Sequence, residues 1–262
     1  MNEKTLLNIH SKRILVTGGA SGIGLSTAKL LIDLGAQVTI SDIHEDNAKA
    51  AYQTLGASAY TVGDIANEDH CNQMVQDTIA ATGGLDAVIN AAGISDKVSK
   101  ALDLDIADWQ RVVDIHLRGS FAISRAAARH MIEQKSGSIV HLASAYGLMG
   151  TPFRYAYSPA KAAIIMLTKD LACEWGRLGV RINAIAPGYV NTPMIERLAK
   201  EGKVDIERLE ARTAMGRLAT PEEVANVAAF LVSDLSSYVH GSVVSVDGGW
   251  TAYGGPGDMT QP

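Results

Sequence analysis

The chain has 262 residues, 47% apolar and 5% aromatic, with 25 glycines and a formal net charge of −5. That apolar share is enough for one large core and excludes a mainly disordered chain. The mild acidity, without a basic stripe, argues against a nucleic-acid partner, and no apolar run approaches the ~20 residues of a membrane span.

Met1 to Arg13 carries Glu3, Lys4, Lys12 and Arg13 and lacks the apolar middle of a signal peptide. Short β-branched runs then alternate with longer segments of helical spacing. Arg13–Thr17, Gln37–Ser41, Ala59–Val62 and Ala87–Asn90 read as strands. Gly22–Leu34, Glu45–Leu55 and Glu68–Thr82 read as helices; in the last, Cys71, Met74, Val75, Thr78 and Ile79 share one face. This rhythm predicts βαβ units, and right-handed crossovers place helices on both faces of a parallel sheet. Asp105 and Asp108 suit the start of a long helix reaching about Gln134. A strand over Ser138–Leu142, a helix over Tyr157–Arg177 and a strand over Val180–Ile185 follow. Thr220-Pro221 opens a helix through Val232, and Ser242–Val246 is the last strand.

Two segments break the rhythm. Residues 189–217 are polar and too long for a plain connection, so a substrate loop or lid is expected there. Thr251 to Pro262 is rich in Gly and Pro and reads either as a frayed terminus or as an arm to a neighbouring subunit. No linker interrupts the chain, which reads as a single domain over 1–262. Cys71 and Cys173 lack CxxC spacing and are expected to be buried free thiols in a reducing cytoplasm. The seven histidines form no HxxxH or HExxH pattern, so no metal site is expected.

Directly after the first strand stand Gly18, Gly19, Ser21, Gly22, Ile23 and Gly24, followed by a helix. Glycines there let the chain turn tightly and let a pyrophosphate approach the free N–H groups of the helix start. Asp42 ends the next strand, close to the ~20-residue spacing expected of an acid that binds the adenosine ribose. A 2′-phosphate beside it meets a like charge, costing on the order of 1 kcal/mol in water and 4 kcal/mol near a protein surface. No Arg or Lys lies between Val38 and Glu45. NAD is therefore expected over NADP.

The arrangement TGxxxGxG resembles that of the short-chain dehydrogenase/reductase family. So do Asn90-Ala91-Ala92-Gly93, Tyr157-Ser158-Pro159-Ala160-Lys161, Pro187-Gly188 with Thr192, and Asp64-Ile65. The resemblance runs from Arg13 to about Trp250. It implies a Rossmann-like, doubly wound parallel seven-stranded sheet and a homotetramer. It also implies that Gly18, Ser21, Ile23 and Gly24 line the pyrophosphate, that Asp64 and Ile65 flank the adenine, and that Asn90 and Gly93 support the adenosine ribose and the floor of the site. Lys161 would hold the nicotinamide ribose; Val190 and Thr192, after Pro187 and Gly188, would bind the carboxamide.

Tyr157 and Lys161, four apart, share one face of a helix. Pro159 fits only in its first turn, which sets the start near Tyr155. Free tyrosine titrates near 10, and lowering it by about 3 units requires roughly 4 kcal/mol. One ammonium at about 4 Å supplies on the order of that amount at an effective dielectric near 20. The oxidised nicotinamide's positive charge adds to it, so with Lys161 and cofactor together a depressed Tyr157 is expected, acting as general acid or base. By resemblance, Ser144 hydrogen-bonds the substrate oxygen. His116 stands where the family has a catalytic asparagine, whose main-chain carbonyl holds a water. A backbone role survives that change, and the imidazole is either tolerated or adaptive.

Ser95, Tyr146, Phe153, Arg154, Tyr155, Tyr189 and part of Met194–Met215 are expected to line the substrate cleft. Such tyrosines and arginine favour a polar, hydroxylated substrate; Arg154 either grips an anionic group or stays solvated. The segment Asp247 to Gly254 resembles the ending of some polyol and sugar dehydrogenases of the family. The function expected is NAD-dependent interconversion of a small secondary alcohol, such as a polyol, and its ketone. One rival is a 3-ketoacyl reductase whose Arg118, Arg125 and Arg129 meet an acidic carrier protein, though such reductases usually use NADPH. Another is a sensor that binds dinucleotide without turnover.

Overall fold

The computed structural model describes residues 7–254. Seven strands form one all-parallel sheet in the order β3-β2-β1-β4-β5-β6-β7. They are β1 Arg13–Thr17, β2 Gln37–Asp42, β3 Ala59–Val62, β4 Ala87–Asn90, β5 Gly137–Leu142, β6 Val180–Pro187 and β7 Val243–Val246. The helices are α1 Gly22–Asp33, α2 Glu45–Leu55, α3 Glu68–Thr82, α4 Ile106–Val113, α5 Gly119–Glu133, α6 Tyr157–Trp175, α7 Pro193–Lys200, α8 Ile206–Arg212 and α9 Pro221–Val232. This is the doubly wound sheet expected from the sequence.

Alternation along buried strands builds the two faces. Leu15, Val88, Ile139 and Ile182 pack with Met74 and Val75 of α3, Ile123 and Met131 of α5 and Trp175 of α6. Ile14, Val16, Ile40, Ile89 and Val140 face the other way, onto Ala28 and Leu31 of α1 and Val224 and Leu231 of α9. The strand order reverses between β1 and β4, which opens a crevice at the carboxyl ends of the strands. Register brings those ends level: Thr17 lies opposite Ser41 on one side and Asn90 on the other, and Asn90 opposite His141.

Four expectations need correction. Residues 189–217 hold two helices, α7 and α8, because Thr192 caps the Ile195 N–H ahead of Pro193 and Asp205 caps the Arg208 N–H. The long helix after Asp105 is not continuous: a π-turn over Asp114–Arg118 separates α4 from α5. The helix expected to end at Arg177 ends at Trp175 and tightens into a 3-10 turn before Gly179, which takes φ +91. Cys71 is buried, but Cys173 is exposed. Pro159 does fall in the first turn of α6, which starts at Tyr157. Of the terminal tail, residues 255–262 lie outside the described residues; Thr251 and Ala252 continue a turn from Gly248. No described helix is long and apolar enough to cross a membrane.

Candidate active site

The crevice is a cavity of about 1550 Å³ running from the glycine loop to the α6 start. Gly18, Ser21, Ile23, Gly24, Asp42, Asp64, Ile65, Gly93, Pro187, Gly188, Val190 and Thr192 line it, as do Ser95, His116, Ser144, Tyr146, Arg154, Tyr157, Lys161 and Tyr189. Phe153, Tyr155 and Asn90 do not. The Tyr155 carbonyl accepts the Trp109 indole N–H at 3.0 Å instead. Asn90 is 4% exposed and turned away from the cavity: its Oδ1 accepts the Thr17 hydroxyl at 2.7 Å and its Nδ2 donates to Ser120 at 2.9 Å. Its support of the floor is therefore indirect. Ser120 Oγ in turn donates to the His116 carbonyl at 2.5 Å, inside the π-turn. A buried polar chain thus joins the end of β1 to the wall of the site.

At one end, the residues present fit a dinucleotide. Gly18 adopts φ +62, and a Cβ on it would lie 2.8 Å from the Ala92 backbone. The N-cap of α1, Ser21, is extended and makes no side-chain capping bond, which leaves the first-turn N–H groups open to an anion. Asp42 sits beyond, at the end of β2, its carboxylate accepting the His44 N–H at 3.1 Å. No group of three or more His, Cys, Asp or Glu among the described residues is placed to hold a metal.

At the other end, Ser144 follows β5 and Tyr157 opens α6 with Lys161 one turn on. Lys161 is 5% exposed; its Nζ donates to the Leu142 carbonyl at 2.6 Å and lies 5.5 Å from the Tyr157 ring centre. Burial pushes Lys161 down to about 7. Burial also raises the Tyr157 phenol above its ordinary value, although the Ser144 hydroxyl and the Arg154 charge pull the other way. The depressed phenol expected from the Tyr–Lys spacing is thus not a property of the chain alone. Desolvation outweighs a neighbour whose own charge burial disfavours and whose Nζ is directed at a carbonyl.

His116 lies in the π-turn, a backbone irregularity frequent at functional sites. Its ring is 2% exposed and meets the Tyr157 ring edge-on, with centres 5.2 Å apart. Nε2 lies 2.8 Å from the Ile94 carbonyl and 3.3 Å from the Ile94 N–H. The shorter contact requires a proton on Nε2, and Nδ1, also buried, has no partner. Burial and the Lys161 charge push His116 down to about 3, so the ring stays neutral at ordinary pH. His141, beneath the site, is held down to about 4 by the same two causes.

Arg154 is neither solvated nor free. Its Nη1 pairs with Asp96 Oδ1 at 2.7 Å and also donates to Ser95 Oγ at 3.1 Å. Asp96 Oδ2 accepts the Tyr157 N–H at 3.1 Å, so one buried carboxylate anchors both the arginine and the start of α6. Sequence reading missed Asp96, in a stretch without periodicity. It also missed Trp250, which lines the cavity and was hinted at only by the bulky aromatic after Gly248-Gly249; Arg212 of α8 lines it too, within the Met194–Met215 segment expected there but not singled out.

Comparison with known proteins agrees with this fold. The family model described as enoyl-(acyl carrier protein) reductase matches residues 18–251. Cis-4-hydroxycyclohexanecarboxylate dehydrogenase of Sinomonas cyclohexanicum is 40% identical over 241 residues, covering 91% of this chain and 96% of that protein. A 3-oxoacyl-[acyl-carrier-protein] reductase of Thermotoga maritima is 36% identical, covering 93% and 99%. The solved structure of a short-chain type dehydrogenase/reductase from Mycobacterium ulcerans superposes with a TM-score of 0.90 at 33% identity, covering 94% and 92%. Matches of this length and identity show the family as well as the fold, and the chain belongs to the short-chain dehydrogenase/reductase family, oxidoreductases that bind a nicotinamide dinucleotide and interconvert alcohols and ketones.

Proposed function

We propose that the chain is an NAD-dependent dehydrogenase of a secondary alcohol carried on a small, largely apolar ring. The observation that carries this reading is how the polar groups of the cleft are engaged. Arg154 is paired with Asp96, and the hydroxyls of Tyr146 and Tyr189 bond to each other. These are the groups that pointed to a polyol, and with them satisfied the ring edges are left to face a substrate. The Sinomonas relative is named for a hydroxylated cyclohexane.

In this reading Ser144 orients the substrate oxygen and Tyr157 accepts its proton when the alcohol is oxidised, or returns it in reduction. A bound nicotinamide dinucleotide supplies the hydride acceptor or donor. The Lys161 ammonium, one helical turn from Tyr157, stabilises the phenolate, and His116 keeps the phenol ring in place without exchanging a proton itself. Asp42 favours NAD through its ribose contact. The homotetramer remains our expectation for assembly; Ile106, Phe121 and Met166 of α4–α6 are exposed apolar residues such packing would cover. A cytoplasmic location fits the two free cysteines.

The 3-ketoacyl reductase reading keeps the support of the Thermotoga relative. Against it, Arg125 already pairs with Glu68 at 3.2 Å. The test is a side-by-side assay of NAD and NADP with cyclohexanol, cyclopentanol, sugar alcohols and, in reduction, an acetoacetyl thioester. We expect NAD with a cyclic alcohol to give the highest kcat/KM. Faster thioester reduction with NADPH refutes the proposal, and loss of all turnover with dinucleotide binding intact supports the sensor.

A further inference from the structure

We infer that Arg212 is a specificity-determining positioning residue: it fixes the Trp250 indole as the outer wall of the substrate pocket, and that wall selects ring-borne alcohols over open-chain ones. The inference rests on the proposed activity toward ring-borne alcohols and adds the residue that sets the preference.

Arg212 ends α8, on the segment that covers the cavity. Its Nη1 donates to the Trp250 carbonyl and its Nη2 to the Tyr253 carbonyl, each at 3.0 Å. Its guanidinium carbon lies 4.6 Å from the Trp250 ring centre and 5.1 Å from that of Tyr253. A planar cation stacked this way and tied to two carbonyls acts as a strut. It is not free to receive an anionic substrate group.

The strut positions a row of rings. Trp250 meets Tyr189 at 5.0 Å, Tyr189 meets Tyr146 at 5.9 Å and Tyr146 meets Tyr157 at 6.3 Å, each edge to face. The row therefore runs from the reacting phenol to the lid. The hydroxyls of Tyr146 and Tyr189 bond to each other, and the Trp250 indole N–H is buried without a partner. What the row offers a ligand is mainly the apolar edges and faces of rings, which a closed carbon ring covers better than a short chain does.

The backbone under Trp250 is braced independently of Arg212. The Asp247 carboxylate accepts the N–H groups of Gly249 and Thr251, each at 3.0 Å. The Gly248 carbonyl accepts the Met215 N–H at 3.0 Å. Removing Arg212 therefore frees the indole without unravelling the turn, so its effect is felt in selectivity.

The experiment compares wild type with Arg212→Ala, Arg212→Lys, Trp250→Leu and Trp250→Phe, after circular dichroism shows each folded. The readout is the ratio of kcat/KM for cyclohexanol to that for butan-2-ol, with NADH affinity measured by fluorescence titration. Arg212→Ala and Trp250→Leu should lower the ratio on the order of 10-fold, mainly through KM for cyclohexanol. Trp250→Phe, which keeps a ring, should recover most of it, and Arg212→Lys only part. A ratio unchanged within about twofold in both Arg212→Ala and Trp250→Leu, in a wild type that oxidises cyclohexanol, overturns this inference alone. A wild type that oxidises no ring-borne alcohol fails the proposed function, and the inference with it. Loss of NADH affinity in step with the ratio assigns Arg212 to the dinucleotide end and also overturns it.

Discussion

Gly93→Ala should destabilise the protein only because His116 is there. Gly93 does not occupy the left-handed region, so alanine meets no backbone penalty at this position. Its Cβ, however, would lie 2.5 Å from His116 Cε1 and 3.1 Å from Nδ1. The imidazole has little room to yield, held between the Ile94 carbonyl at 2.8 Å and the Tyr157 ring. Overpacking of this kind costs about 1–3 kcal/mol, and losing the bond to Ile94 adds about 1 kcal/mol. We expect a total of about 2–4 kcal/mol, against less than about 1 kcal/mol for the same change in a His116→Ala background. Urea unfolding of the four proteins of this cycle, at one protein concentration, measures the difference as a coupling energy. Equal penalties in both backgrounds, within about 0.5 kcal/mol, would mean that the glycine is required for some other reason and that the imidazole is not wedged as described.

Tyr157→Phe should lower kcat by at least about 100-fold while NADH still binds; rapid turnover by this variant removes the phenol from the reaction. Lys161→Met should also lose turnover yet resist urea better than wild type at pH 6. Burial lowers Lys161 from 10.5 to about 7, so the unfolded chain binds more protons between those values and wild-type stability climbs with pH across that window. The advantage of Met should be greatest below pH 7, at most on the order of 5 kcal/mol at about 1.36 per unit, less the lost bond to Leu142. It should shrink toward pH 10, and an advantage that does not change with pH contradicts the assignment. Asp42→Ala should shift preference toward NADP on the order of 10-fold or more, from the repulsion it removes; an unchanged ratio places the carboxylate away from the ribose.

The sheet was largely legible because its strands are short apolar runs buried on both faces. Arg13–Thr17, Ala59–Val62 and Ala87–Asn90 coincide with β1, β3 and β4. The lid helices were not read, although Thr192-Pro193 is the same start signal that Thr220-Pro221 gave for α9. At eight and seven residues, about two turns each, they are shorter than the window over which helical periodicity is read, although Met194, Ile195 and Leu198 do share one face. Motif spacing placed Ser144, Tyr157 and Lys161 in one cavity, but it could not report desolvation, which raises the phenol in the chain alone. Nor could it report pairing: Arg154 looks available until Asp96 is brought beneath it by the chain after β4. The π-turn has no local signature, since Asp114 to Arg118 is an ordinary helical stretch by composition.

The hydroxyl, amide and hydroxyl of Thr17, Asn90 and Ser120 act as a tie rod from the glycine-loop strand to the carbonyl of His116. With that rod inside the sheet, the nucleotide-facing half and the proton-handling half cannot drift independently. An amino-acid change that reshapes one half is transmitted to the alignment of the other, so substitutions far from the reacting carbon can alter turnover without touching a ligand.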